Sequence, residues 1–208
     1  MSLHSTPLGA GELAALVGSR LCHDLVSPLG AIGNGLELLQ MSPEFTTAAE
    51  GPEMSLISEA VAAARARIDS FRMAFGQATG DQRIALGQLR QLARNTPLHG
   101  RTEIDLNGPT DVARADARML LLAVMCMDHA MPRGGRVLIV HHQPGWQVVA
   151  ECSRARIEPG LWAWIGAGGT PQTPRPGDVQ FALLAHAAAD AGRRLRAEID
   201  ETGAEITF

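Results

Sequence analysis

The sequence contains no tyrosine, and aromatic residues make up only 4% of its 208 positions. Its core is therefore expected to consist of Leu, Ala, Val, Ile and Met, as in Ala-rich packed helices. It also lacks a CxxC pair, since Cys22, Cys126 and Cys152 are widely spaced and odd in number. This spacing excludes a disulfide framework and a zinc module, and it favours a reducing compartment.

Long apolar runs and an excess of positive charge are absent as well. No run approaches the roughly 18 apolar residues that a membrane span needs, and Met1 to Gly11 lacks the basic and apolar regions of a signal peptide. A formal net charge of -4 argues against a general nucleic-acid binder. We expect a cytoplasmic protein that binds neither membranes nor nucleic acids.

Residues 1–79 are predicted to form a helical hairpin that serves as a dimerisation domain. Apolar residues recur three, four or seven apart over Glu12–Leu39 and again over Glu53–Gln77. Ser42-Pro43 and Gly51-Pro52 predict the loop between them. One hairpin cannot cover both apolar faces, so we expect a homodimer with a four-helix bundle. The alternative is that downstream residues cover the stripe.

Residues 80–208 are predicted to form a separate α+β domain with helices on one face of a sheet. The expected helices are Ile84–Asn95, Ala115–Ala130 and Val179–Ala191, and the expected strands are Thr102–Leu106, Arg136–His142, Trp146–Cys152, Arg193–Ile199 and Ala204–Phe208. Trp162 and Trp164 lie in a loop region, where they form either a docking ridge for a partner or part of the core.

His23 lies opposite the apolar stripe of the first helix. At about 100° per residue, that stripe centres near Leu21 and Ile32, so the imidazole points into solvent. The same outer face carries Leu16, Ser19, Arg20, Ser27, Gly30, Asn34 and Glu37. A neutral imidazole, with an unperturbed pKa of about 6.5, is nucleophilic near neutral pH. A lone exposed histidine is usually an ordinary surface residue, so a functional role for His23 depends on the residues around it.

The run from His23 to Pro28, HDLVSP, resembles the phospho-acceptor box of sensor histidine kinases. The wider run from Ser19 to Pro28 is still more similar to ChpT-type histidine phosphotransferases, which share the kinase shape but do not bind ATP. The resemblance implies that His23 accepts a phosphoryl group from a receiver-domain aspartate of a hybrid kinase. It then passes that group to the receiver domains of response regulators. It also implies that residues 1–79 are a histidine phosphotransfer domain within a dimeric four-helix bundle, and that residues 80–208 are a degenerate kinase ATPase-like α/β sandwich without a nucleotide site.

The neighbours of His23 have expected roles in this chemistry. Asp24 holds the far ring nitrogen or accepts its proton, and the alternative is that it is only a solvated charge on the helix. Arg20 either offsets phosphoryl charge or pairs with Asp24 one turn on. Pro28 leaves the Asp24 carbonyl without its helical hydrogen bond and should bend the helix there. Arg67 and other charged residues that lie off the apolar stripe of the second helix are expected in solvent.

A receiver is expected to dock on the face around His23. The predicted contact residues are Ser19, Arg20, Val26, Ser27, Gly30 and Asn34.

Set beside the ATP-binding domain of histidine kinases, residues 80–208 lack the nucleotide motifs. Cys126 stands where those kinases have an asparagine for magnesium, and a thiol is a poor ligand for that cation. Cys152–Ile157 lacks the aspartate and glycines of the adenine loop, and Pro176–Val179 lacks a glycine pair. We expect no ATP and no metal in this chain, with magnesium supplied by the receiver. The alternatives are an active histidine kinase and a non-catalytic dimer scaffold that binds receivers.

Overall fold

The computed structural model describes residues 8–41, 52–77, 81–96, 98, 101–143 and 145–208. Two long antiparallel helices form the N-terminal part, α1 (Ala10–Met41) and α2 (Pro52–Phe75). Glu12 caps the start of α1, where its Oε2 accepts a hydrogen bond of 3.0 Å from the Gly9 amide. Both helices were predicted to within two residues. Residues 42–51 of the predicted loop between them lie outside the described residues, and Pro52 begins α2.

The rest of the chain alternates short helices and strands. In order these are β1 (Arg83–Ala85), α3 (Leu86–Arg94), β2 (Thr102–Asn107), β3 (Asp111–Ala113), α4 (Arg114–Ala130), β4 (Gly135–His142), β5 (Gly145–Glu151), α5 (Pro159–Trp162), α6 (Val179–Asp190), β6 (Arg196–Ile199) and β7 (Gly203–Thr207). Two 3-10 turns, Ala163–Ile165 and Pro176–Asp178, precede α6.

Five strands form one mixed sheet in the order β2-β4-β5-β7-β6, with β2 and β4 parallel and the other pairs antiparallel. Alternate side chains, such as Val137 and Ile139 on β4 and Val148 on β5, are buried on one face. Helix α4 packs against that face, and α6 packs against α4. The predicted α+β class, with an N-terminal helical region and a C-terminal sheet, is confirmed.

Two predicted boundaries were wrong. The helix expected from Ile84 begins at Leu86, because Ile84 pairs with Val112 in the small β1–β3 ladder. The strand expected from Arg193 begins at Arg196, and the Arg193 guanidinium lies 3.5 Å from a carboxylate oxygen of Asp116 on α4. In both cases a tertiary contact overrides the local pattern.

The hairpin and the sheet region share one apolar core. Phe71 and Ala74 near the end of α2 belong to the same buried cluster as α4, and Leu13 and Leu16 of α1 pack against it. The proposed division at residues 79 and 80 stays a prediction, since residues 78–80 are not described. No helix in the described ranges is both long and apolar enough to cross a membrane.

Candidate functional site

His23 stands clear of the protein body on α1, with 83% of its side chain exposed. Its Nδ1 lies 2.9 Å from Oδ1 of Asp24. An ionised carboxylate only accepts hydrogen bonds, so Nδ1 must carry the proton and donate it. In a neutral imidazole that is protonated on Nδ1, the lone pair resides on Nε2, the outer ring nitrogen. In the neutral form of the ring, the nucleophilic nitrogen is therefore the one directed away from Asp24.

The face around His23 is open along several turns of α1. Ser19, Val26, Ser27, Gly30 and Asn34 are all exposed, and Val26 retains 66% of its accessible surface. A Cβ added to Gly30 would meet no atom within 4 Å. The fold of this chain thus places no demand for a small residue at position 30, and its flatness leaves room for another molecule.

Arg20 does not lie on this open face, and that part of the prediction was wrong. Only 4% of the residue is exposed, because the turn at Pro176–Asp178 and helix α6 pack against the N-terminal half of α1. Its Nε lies 2.5 Å from Oδ2 of Asp24, and its Nη1 donates to the carbonyl of Gly177. Of the two roles predicted for Arg20, the pair with Asp24 is the one that is observed.

The carbonyl of Asp24 has a partner from the second helix. Pro28 supplies no amide hydrogen, so this carbonyl lacks its usual helical bond, and Nη1 of Arg67 donates to it at 2.8 Å. The prediction that Arg67 lies in solvent was therefore wrong. Pro28 was the sequence signal for this contact, because a backbone carbonyl without its helical donor usually accepts a hydrogen bond from another group.

The centre of the sheet region is filled by side chains. Cys126 on α4 is fully buried, and burial, followed by the nearby charge of Asp178, raises the pKa of its thiol well above the ordinary value. Trp162 is 1% exposed and meets Phe181 of α6 edge-on, with ring centroids 5.5 Å apart. Trp162 thus belongs to the core and not to a docking ridge.

A second histidine, His129 on α4, takes part in a buried polar cluster. Its Nδ1 lies 2.9 Å from Oδ1 of Asp178, and its Nε2 lies 3.4 Å from Oε1 of Glu158. Burial opposes ionisation of Asp178, but the hydrogen bond and charge of His129, with Arg175 and Arg156, outweigh it and lower the pKa of the carboxyl. The cluster ties α4 to the turn that holds Gly177.

Comparison with known proteins identifies similar chains over the full length. Residues 86–203 match the family model described as histidine phosphotransferase C-terminal domain. The chain is 30% identical over 215 residues to the protein phosphotransferase ChpT of Brucella abortus strain 2308, covering 100% of this chain and 99% of that relative. It also matches the solved structure of a bacterial phosphotransferase, with a TM-score of 0.72, 27% identity and 99% coverage of each chain.

Proposed function

Because this chain belongs to the histidine phosphotransferase family, we propose that His23 is the residue that carries the phosphoryl group. The resemblance to ChpT-type phosphotransferases noted in the sequence extends over the whole chain. The observation that carries the assignment is the geometry of the ring, which is 83% exposed with Nδ1 held by Asp24. The lone pair of Nε2 is then free to meet a phosphorus atom brought by a partner.

The transfer step follows from this geometry. The lone pair of His23 Nε2 attacks the phosphorus of an aspartyl phosphate, a new N–P bond forms, and the bond from phosphorus to the aspartyl oxygen breaks with its electrons. The partner recovers its carboxylate. Positive charge develops on the imidazole, and the Asp24 carboxylate stabilises it through the Nδ1 proton. The same steps in reverse pass the group to a second receiver.

The partners are expected to be receiver domains, first of a hybrid histidine kinase and then of response regulators. Their docking surface comprises the exposed face of α1 that carries Ser19, Val26, Ser27, Gly30 and Asn34. Arg20 lies beneath this surface and contributes through Asp24. Phosphoryl transfer depends mainly on positioning and on charge stabilisation, and the magnesium for it is expected on the receiver.

We propose further that this chain does not use ATP. Support comes from the interior of the sheet region, where Trp162, Ile165 and Phe181 are each at most 1% exposed. At the position aligned with the magnesium asparagine of kinases, Cys126 keeps its proton in a fully buried setting. A neutral, buried thiol does not suit the hard cation that accompanies a nucleotide.

A homodimer is the expected assembly. Leu29, Leu36 and Ile68 keep 59%, 48% and 43% of their accessible surface in the single chain. Leu29 and Leu36 lie seven residues apart, the spacing of a helical seam, and pairing of two hairpins would bury them. Sedimentation equilibrium should give a mass of about twice 22.1 kDa, and the double variant Leu29→Glu, Leu36→Glu should sediment as one chain. A wild-type monomer would refute the bundle.

The decisive experiment is transfer of labelled phosphate from a panel of phosphorylated receivers to the purified chain. Wild-type protein and His142→Gln, which changes another exposed histidine, should acquire acid-labile label, and His23→Gln should not. Label gained from ATP alone would instead establish a kinase. Receiver binding without any transfer of label would instead establish a scaffold.

A further inference from the structure

Arg20 connects the turn that carries His23 to a distant part of the chain. Its guanidinium makes two contacts at once, with Oδ2 of Asp24 at 2.5 Å and with the carbonyl of Gly177, 157 positions away. Gly177 adjoins Asp178, whose carboxylate lies 2.9 Å from Nδ1 of His129 on α4. These contacts, together with the covalent link between Gly177 and Asp178, connect the exposed histidine to helix α4 of the sheet region.

Burial changes what the Arg20–Asp24 pair can do. An exposed pair of this kind at i,i+4 contributes only about 0.3–0.5 kcal/mol and leaves both side chains free to change rotamer. Here the side chains of Arg20 and Asp24 are only 5% and 12% exposed. A planar guanidinium that bonds a carboxylate and a carbonyl together has little rotational freedom. The orientation of the Asp24 carboxylate is thus decided by a contact outside the hairpin.

We propose that Arg20 is a positioning residue, through which the Gly177 carbonyl of the C-terminal region orients Asp24 and so selects the reactive nitrogen of His23. With Oδ2 of Asp24 engaged by Arg20, Oδ1 is directed at Nδ1 of the imidazole. The proton is held on Nδ1, and Nε2 keeps its lone pair. This inference rests on the proposed function of His23 for its consequence, but the tautomer itself can be measured without any partner.

Arg67 holds the backbone of the same residue. Its hydrogen bond of 2.8 Å to the Asp24 carbonyl replaces the one that Pro28 cannot make. Asp24 is therefore restrained twice, at its side chain by Arg20 and at its main chain by α2. A residue whose only task was to be a solvated helix charge would need neither contact.

The test compares Arg20→Met with Arg133→Met, which removes an exposed arginine from a turn. Nitrogen-15 shifts of the His23 imidazole report the tautomer in the full chain alone. Wild type and Arg133→Met should show the Nδ1–H form, with Nε2 unprotonated. Arg20→Met should shift His23 towards the Nε2–H form that free histidine prefers, and should accept phosphate about tenfold more slowly, as expected when a charge-assisted hydrogen bond is lost.

Arg20→Lys provides a second variant that retains the charge. A lysine ammonium can pair with Asp24 but lacks the rigid fork that reaches the Gly177 carbonyl as well, so its tautomer ratio should lie between wild type and Arg20→Met. A wild-type ratio in the lysine variant would overturn the part assigned to Gly177. A wild-type ratio in a folded Arg20→Met variant would overturn the proposal entirely. Failure of wild-type protein to accept phosphate would refute the function and leave the tautomer result standing.

Discussion

Two histidines of this chain meet a carboxylate in the same way and in opposite surroundings. His23 and His129 each place Nδ1 2.9 Å from an aspartate oxygen, that of Asp24 and that of Asp178. The side chain of His23 is 83% exposed, whereas that of His129 is 6% exposed. A histidine–aspartate pair is therefore not a reactive site in itself.

The second ring nitrogen makes the difference. Nε2 of His23 faces solvent, where a large partner can approach. Nε2 of His129 lies 3.4 Å from Glu158, and its ring meets Phe181 edge-on at 5.5 Å between centroids. No receiver can reach it without unfolding the segment that covers it. The His23–Asp24 pair is accessible to a reaction partner, whereas the His129–Asp178 pair joins α4 to the turn before α6.

The strongest test of this contrast replaces each histidine in turn and compares the effects on phosphate acceptance and on stability. His23→Gln should reduce phosphate acceptance by on the order of 10³-fold or more, since the nucleophile is gone, and should leave the thermal midpoint unchanged. His129→Gln should keep acceptance within about tenfold while lowering the free energy of unfolding by about 1–3 kcal/mol, because it breaks a buried hydrogen bond to a charged group. Labelled transfer and thermal unfolding measure the two effects. Equal loss of transfer in both variants would contradict the contrast.

The carboxylate beside the open histidine should matter next. Asp24→Asn keeps the shape but removes the charge that stabilises the phosphorylated imidazole, so transfer should slow by about 10- to 100-fold, consistent with loss of 1.5–3 kcal/mol. Asp69→Asn, at an exposed aspartate on α2 that pairs with Arg72, is the matched control. Single-turnover rates at saturating receiver measure the step. An unchanged rate for Asp24→Asn would remove Asp24 from the chemistry.

Access to the open histidine should have a smaller effect. Gly30→Leu adds a side chain to the exposed face where the chain itself offers no contact within 4 Å. It should raise the KM for the receiver about tenfold without any loss of folding stability, since leucine is a better helix former than glycine. Gly11→Leu, at another exposed and uncrowded glycine of α1, should leave KM unchanged. The same KM for both variants would place docking elsewhere.

The smallest expected effect is the pH dependence of the stability that the buried His129–Asp178 pair contributes. The pKa of Asp178 is lowered in the folded chain, so its ionised form stabilises the fold above the unfolded value of about 3.9. That stabilisation is lost as pH falls through the folded pKa. Asp178→Asn should thus be less stable than wild type at neutral pH, and the difference should shrink below about pH 4. Urea unfolding across this pH range measures the difference in free energy of unfolding between the two proteins. A difference that does not change with pH would show that the charge of Asp178 does not stabilise the fold.

Much of the fold and of the site could be predicted because the relevant signals are local. The periodicity of α1 and α2 located both helices, and it directed His23 away from the apolar stripe. Pro28 predicted a carbonyl without its helical partner. The small ladder of β1 and β3 was missed, because strands of three residues are stabilised by their neighbours and not by their own pattern.

The sequence by itself predicted the candidate reactive group and its immediate partner, since covalent order places Asp24 beside His23 and helical periodicity directs His23 away from the apolar stripe. Only the tertiary structure decided the hydrogen-bond partners of Arg20 and Arg67. Arg20 meets Gly177 and Arg67 meets Asp24 across 157 and 43 positions, and helix periodicity describes neighbours within a few turns. Which distant carbonyl a guanidinium will find depends on how the sheet region packs against the hairpin.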